Sequence, residues 1–272
     1  MSSENVRFYD RTKHIPVEEV KSADGKKMIK PTIRHARKLG LLPSVSSICK
    51  TLASHQLTDW IARNAIKTAA KLPMQSLAGM LVGDTEDDRL DAYADFVMSK
   101  AGEFTAECAD TGKLFHAAIS KMLDSNLKDM PEEGPMLVAC TSIAERVASM
   151  QFQSFTSEAG LGDAELGFAG TPDVFAVQPE LTLIADTKTT DLEKFKEPYE
   201  SWKLQLGGYY KLISKLKGTS ADTVWEQWVV DRNTGEFKPI PYADADMQQY
   251  ALAFEHLFAV WCVVNKYNPK DA

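Results

Sequence analysis

The sequence predicts a mixed α/β core preceded by a helical region, and three observations predict it. Apolar residues recur at helical spacing through most of residues 44–150, then switch to two-residue alternation after about residue 152. From there strand-like and helix-like segments interleave as three strands, a helix, two strands and a closing helix, the order of an α/β unit. No flexible linker separates the two halves, so the helical region is expected to pack on the core. The expected division is 1–109 for the mostly helical region and 110–272 for the core with its C-terminal helix.

Each element has a local reason. Residues 1–43 are polar and broken by prolines, so they read as loops or short strands. After Pro43, one of Ser44, Ser46 and Ser47 is placed to cap a helix running toward Lys71, with Ile48, Leu52, Leu57, Trp60, Ile61 and Ile66 near one face. A turn in MLVGDTEDDRL leads to a helix over Asp91–Ala106, and TGKLFHAAISKML starts another at Thr111. The acidic turn MPEEGP precedes a helix over 136–150. FQSFTSEAGL, GFAGTPDVFAV and LTLIADTKTT read as strands, the last two joined by a turn at Gln178–Glu180. SWKLQLGGYYKLISKLKG returns to helical spacing, and TVWEQWVVDRNTGEFKPIPY is a strand pair turning at Asn233–Gly235. Asp244–Val264 forms the closing amphipathic helix.

Composition excludes several classes. A chain of 272 residues with 44% hydrophobic and 25% charged residues builds a core without disulfides or structural metal. No apolar run approaches the roughly 18–20 residues of a membrane helix, and the polar start carries no signal-peptide core, so the expected location is the cytoplasm of a bacterial or phage-infected cell. The 4 cysteines are scattered rather than grouped, the spacing of incidental thiols and not of zinc or iron–sulfur ligands. The net charge of −7 argues only weakly against a nucleic-acid partner, because phosphate binding depends on local charge. Lys26, Lys27, Lys30, Arg34, Arg37 and Lys38 crowd one stretch with His35, either a solvated loop or a DNA contact.

The chemistry concentrates in FAGTPDVFAV and LTLIADTKTT. Asp173 falls inside the first strand, and Asp186 and Lys188, two apart, project the same way from the second. A hairpin brings Asp173 beside Asp186. Carboxylates among apolar strand residues are costly unless paired, and two together repel. A divalent cation resolves both problems, and Mg²⁺ suits an oxygen site that keeps waters for substrate phosphate. Lys188 would then hold or deprotonate the attacking water and offset phosphate charge.

Gly170, Asp173, Asp186, Lys188, Gln205 and Tyr209, together with Gly112 and His116 upstream, resemble the signature of the PD-(D/E)xK nuclease superfamily in its RecB-like exonuclease branch. That branch carries Gly-x-x-x-His, Gly-x-x-Asp, Asp-x-Lys and Gln-x-x-x-Tyr in this order, and the resemblance spans roughly residues 110–232. It implies a restriction-endonuclease-like mixed sheet flanked by helices and an Mg²⁺-dependent deoxyribonuclease, with Mn²⁺ substituting. It further implies that the Thr187 backbone carbonyl joins Asp173 and Asp186 at the metal, with His116 a further ligand or a group beside it, and that Gln205 and Tyr209 orient Lys188 or touch DNA phosphate. Glu158 is a further acidic candidate, with Glu165 as its rival. Tyr209, Thr189 and Lys203 are candidate DNA contacts, and Lys194 and Lys196 follow nearby. LPSVSSICKTL is similar to the start of phage-type and mitochondrial genome-maintenance exonucleases, which adds Ser44 as a DNA contact. No iron–sulfur cluster and no helicase phosphate loop is expected.

The expected activity is exonucleolytic digestion from DNA ends in recombination, repair or phage DNA processing. The expected partners are single-stranded or duplex ends and a single-strand annealing or replication protein. An endonuclease or structure-specific nuclease of the same fold, and a non-catalytic DNA-binding protein with a degenerate nuclease fold, are the alternatives.

Overall fold

The computed structural model describes residues 7–22, 25–52, 55–72, 85–152, 155–157, 159–178, 181–217 and 222–272, with only the backbone described at 55–60. The chain divides into two compact units, Met1–Leu52 with Phe115–Ala272 and, separately, Ala53–Leu114. This differs from a boundary at 109/110, because residues up to Leu52 fold with the sheet. Strand β1 (Phe8–Tyr9) pairs antiparallel with a strand at Leu42–Pro43. Arg11 donates to the Pro269 carbonyl at 2.6 Å and Tyr267 to the Leu41 carbonyl at 2.9 Å. Such contacts, more than two hundred residues apart in sequence, leave no local periodic signal.

Strands β2 (Val20–Lys21) and β3 (Met28–Ile29) form a small hairpin ahead of helix α1 (Ile33–Leu39). Within the basic stretch, His35 closes a capping box with Thr32, while the six lysines and arginines are exposed. After β4 (Leu42–Pro43), Ser44 is the serine that caps, its hydroxyl accepting from the Ser47 N–H at 3.0 Å. The helix it starts, α2 (Val45–Cys49), stops there instead of running to Lys71. Lys50 ends it and Thr51 N–H turns back to the Ile48 carbonyl. The single apolar face expected across that span does not form. Ile48 is buried, but Leu52, Ile61 and Ile66 are exposed, and the side chains of Leu57 and Trp60 lie outside the described residues.

Helix α3 (His55–Lys71) belongs to the smaller unit. Helix α4 (Glu86–Asp124) is continuous where two helices were expected. Nothing between Ala106 and Thr111 breaks it, since that stretch has neither Gly nor Pro, and the Thr105 and Thr111 hydroxyls bond back one turn to the carbonyls of Ala101 and Glu107. Helix α5 (Gly134–Ser149) follows with Pro135 in its first turn, where a missing N–H is harmless.

The remaining strands build the core. They are β5 (Thr156–Ser157), β6 (Leu161–Asp163), β7 (Phe168–Gly170), β8 (Val174–Val177), β9 (Thr182–Thr190), β10 (Thr223–Asp231) and β11 (Phe237–Tyr242). Helix α6 (Glu200–Lys217) connects β9 to β10, and α7 (Asp244–Asn265) closes the chain. Five strands form one mixed sheet in the order β11-β10-β9-β8-β5. Only β9 and β10 run parallel, and α6 supplies the crossover that a parallel pair requires. Two expected strands are each divided, because β6 and β7 leave the sheet to pair with each other.

Side chains of β9 and β10 alternate between two apolar layers. Ile184 and Trp225 pack with Leu206 and Leu212 of α6 and Phe254 and Trp261 of α7. Ala185, Trp228 and Val230 pack with Ile143 and Val147 of α5 and Phe115 and Ile119 from the end of α4. The sheet is thus flanked by helices on both faces, as the sequence predicts. Among the described residues no helix is long and apolar enough to cross a membrane.

Candidate active site

The site forms where β8 falls short of β9. Their antiparallel ladder ends at Val174↔Ala185, so from Asp186 onward β9 pairs in the sheet with β10 alone. Asp173 therefore lies not inside a strand, as expected, but in the break between β7 and β8. Pro172, with no N–H to give a ladder, marks that break. Continuing the register by one residue sets Asp173 opposite Asp186.

Asp173 Oδ2 accepts from the Thr187 N–H at 2.6 Å, and its Oδ1 lies 3.3 Å from His116 Nδ1. Asp186 Oδ2 lies 2.6 Å from Lys188 Nζ and accepts from Gln227 Nε2 at 2.9 Å, while Oδ1 accepts from Gln205 Nε2 at 2.8 Å. Lys188 also donates to Gln205 Oε1 at 3.1 Å. Gln205 thus bridges acid and ammonium, donating a hydrogen bond to the carboxylate and accepting one from the lysine. One helical turn on, Tyr209 accepts from Gln205 and donates to the Thr171 carbonyl at 2.9 Å, tying α6 to the break before Asp173. Tyr9 reinforces that segment through Thr171 Oγ1 at 2.6 Å.

Gly170 is required by this packing. A Cβ there would stand 2.7 Å from Tyr209 Cε1 and 3.1 Å from Val45 Cγ2. The site deepens inward: the side chains of His116, Lys188 and Asp173 keep 32%, 23% and 20% exposure, whereas Asp186 keeps 2%.

The two carboxylates are displaced in opposite directions. Burial acts to raise Asp173, but the His116 hydrogen bond and charge, with Lys188 and the Thr187 N–H, hold it below the usual range. Burial raises Asp186, and Asp173's negative charge adds to the rise against the opposing pull of Lys188. Burial works against the charge of Lys188, yet Asp186 and Asp173 outweigh it and hold its pKa above normal. His116 behaves likewise, its burial outweighed by Asp173.

This oxygen set fits a hard divalent cation. A carboxylate offers about four lone-pair positions. Asp173 spends two on the contacts named above and Asp186 three, so each keeps capacity for a further contact. Among the described residues no group of three or more His, Cys, Asp or Glu side chains gathers as a cation cage. Magnesium does not need one, since it binds through one or two carboxylates and fills its shell with water and phosphate. The structure joins His116 to Asp173 rather than completing a three-ligand cluster with it.

The other candidates divide. Thr187 turns its side chain to the opposite face, where its buried hydroxyl has no partner among the described residues, and its backbone stands at the notch. Thr189 is half-buried on that same opposite face of β9. Tyr209 is 2% exposed with its hydroxyl spent on Thr171, so it braces the site from within rather than presenting a surface for DNA. Ser44 is likewise buried and occupied as a helix cap. Lys203 pairs with Glu200 at 2.7 Å and stands 5.8 Å from the Tyr250 ring, and Lys194 pairs with Asp191. Glu165 forms an exposed ion pair with Lys215 and does not reach the site. Glu158 lies outside the described residues.

Sequence reasoning missed Gln227, fully buried in β10 and paired in register with Asp186. A polar Gln within VWEQWVV was the available signal.

No protein-family model and no curated protein matches the chain. Among solved structures, a crystal structure described as a "Putative exonuclease" from Eubacterium rectale is 13% identical with a TM-score of 0.40, covering 57% of this chain and 68% of that one. The crystal structure of SSO0001 is 14% identical with a TM-score of 0.33, covering 74% and 86%. Neither likeness is close enough to carry a function.

Proposed function

We propose that this chain is a divalent-metal-dependent nuclease that hydrolyses phosphodiester bonds of DNA, working from strand ends. The observation that carries the reading is the convergence of Asp173, Asp186 and Lys188 on one notch at the edge of β9, with Gln205 bridging acid and ammonium. Lys188 pairs with Asp186 while Asp173 leans on His116 and the Thr187 N–H, yet the two carboxylates still repel each other. A cation gives that pair a use.

Asp173, Asp186 and the Thr187 carbonyl would hold Mg²⁺, with Mn²⁺ as a substitute. When bound, the ion supplies Lewis acidity at the phosphoryl oxygen and acidifies water. The protein's own groups do the rest. Lys188, positioned by Asp186 and Gln205, offsets charge on a phosphate oxygen and orients water by hydrogen bonding. His116 steadies Asp173, and Tyr209 fixes the segment that carries it. Action on ends, a place in recombination, repair or phage DNA processing, and an annealing or replication protein as companion rest on the family resemblance alone.

The test uses linear single-stranded and duplex DNA labelled at either end, and covalently closed circles, each with and without Mg²⁺. Wild type is expected to release label from linear substrates, leave circles intact and stop on chelation. Asp186→Asn and Lys188→Met should each slow cleavage by about 10²–10³-fold or more, as losing a group that stabilises transition-state charge does. Cleavage of circles would make the enzyme an endonuclease. Variants as fast as wild type would remove these residues from the chemistry.

A further inference from the structure

The geometry points to Gln227 as a positioning residue that holds the Asp186 carboxylate in its metal-binding orientation, an inference that rests on the nuclease reading above. Gln227 belongs to none of the motifs that suggested the site. It sits in the interior strand β10, fully buried, with Asp186 as its direct partner across the parallel β9–β10 ladder.

Its amide spends both donor contacts on that one residue. Nε2 donates to the Asp186 backbone carbonyl and to Asp186 Oδ2. Holding the main chain and the side-chain tip of the same residue limits rotation of the bonds between them. Gln205 and Lys188 reach the same carboxylate from the solvent-facing side of the site, where substrate and cation would compete for them. Gln227 grips it from within the sheet and stays in place whatever enters the notch.

A stability role alone explains this residue poorly. The remaining polar atom, Oε1, is buried and has no hydrogen-bond partner among the described residues. A buried acceptor without a partner costs folding free energy. Methionine would fill the same space without that cost, and the neighbouring β10 residues Trp225, Trp228, Val229 and Val230 are apolar and buried. What Gln provides and Met does not is the pair of donors to Asp186. Groups that orient a metal ligand in this way typically contribute about 10–100-fold in metal affinity or activity.

The experiment compares full-length wild type with Gln227→Met, a near-isosteric change, and with Gln227→Leu in case Met perturbs folding. Mn²⁺ binding is measured by calorimetry or by electron paramagnetic resonance of free Mn²⁺, with thermal unfolding by circular dichroism as the control for folding. The expected result is Mn²⁺ binding about 10–100-fold weaker in the variants, in proteins that still unfold cooperatively, at a midpoint lowered by the loss of two donors to Asp186. In cleavage assays the Mg²⁺ needed for half-maximal rate should rise in parallel, with DNA KM little changed. Wild-type Mn²⁺ affinity in a cooperatively folded variant overturns the positioning role, even if the wild type proves to be a nuclease. Weakened Mn²⁺ binding in a chain that cleaves no DNA leaves the positioning role standing and removes the nuclease reading. A wild type that binds no Mn²⁺ overturns both.

Discussion

Arg146 and Glu226 offer a test of the sheet's second face, away from the notch. Glu226 sits in the middle of β10 at 0% exposure, and the Arg146 guanidinium reaches it from α5 with its side chain 34% exposed. Trp228 Nε1 also donates to Glu226 Oε2, at 2.8 Å. The asymmetry of exposure sets the magnitudes. Arg146→Met strands a carboxylate with no solvent exposure and one neutral donor, the situation in which breaking a buried pair costs about 3–5 kcal/mol. Glu226→Gln keeps an acceptor for Trp228 and leaves an arginine that can turn to solvent, so its cost is nearer the ~1.5–3 kcal/mol of a lost charged hydrogen bond. The double substitution should cost less than the sum of the two, because no charge is then stranded. Urea unfolding followed by tryptophan fluorescence reads this directly, since Trp202, Trp225, Trp228 and Trp261 all lie in the larger unit. Costs of equal size for the two single variants, or strict additivity in the double, would refute the reasoning.

Other expectations follow from single contacts. Gly170→Ala places a methyl group 2.7 Å from a buried tyrosine ring, so it should destabilise by about 1–3 kcal/mol through overpacking and slow cleavage by displacing Tyr209 and Gln205; an unchanged thermal midpoint would contradict it. Asp231 accepts from the backbone N–H groups of Leu192, Asn233 and Thr234. Burial acts to raise its pKa, but those hydrogen bonds hold it below the usual carboxylate value. Its stabilisation is therefore full above the unfolded pKa of about 3.9 and is lost as pH falls through the lower folded value. Asp231→Asn should be less stable by about 1–3 kcal/mol at pH 7, with the gap closing below about pH 4; a gap that persists in acid would contradict it.

Much of this was legible in the sequence because it was periodic or local. The two-residue spacing of Asp186 and Lys188 put them on one strand face, and the one-turn spacing of Gln205 and Tyr209 put them on one helix face. The Asn233–Gly235 turn fell where a positive φ was needed, at Gly235. The division of GFAGTPDVFAV at Pro172 was less visible, because apolar alternation cannot say which of two sheets a strand joins. The stop of α2 after Cys49 was hidden by a serine-rich start that reads equally well as the cap of a long helix. The packing of residues up to Leu52 on the C-terminal helix depends on contacts such as Arg37 to the Asn265 carbonyl, 228 positions apart, which leave no trace in a local window. Gln227 was overlooked for a similar reason: its meaning lies in a parallel register, and the sequence showed only a polar residue in an apolar strand.

The whole account depends on two aspartates sharing an ion beneath a lysine. Crystals grown with Mn²⁺ and measured at the manganese absorption edge test this most directly. The prediction is one anomalous peak at about 2.1 Å from an oxygen of Asp173 and an oxygen of Asp186, lost in Asp186→Asn. Manganese bound elsewhere, with both aspartates bare at a concentration that supports cleavage, would contradict it.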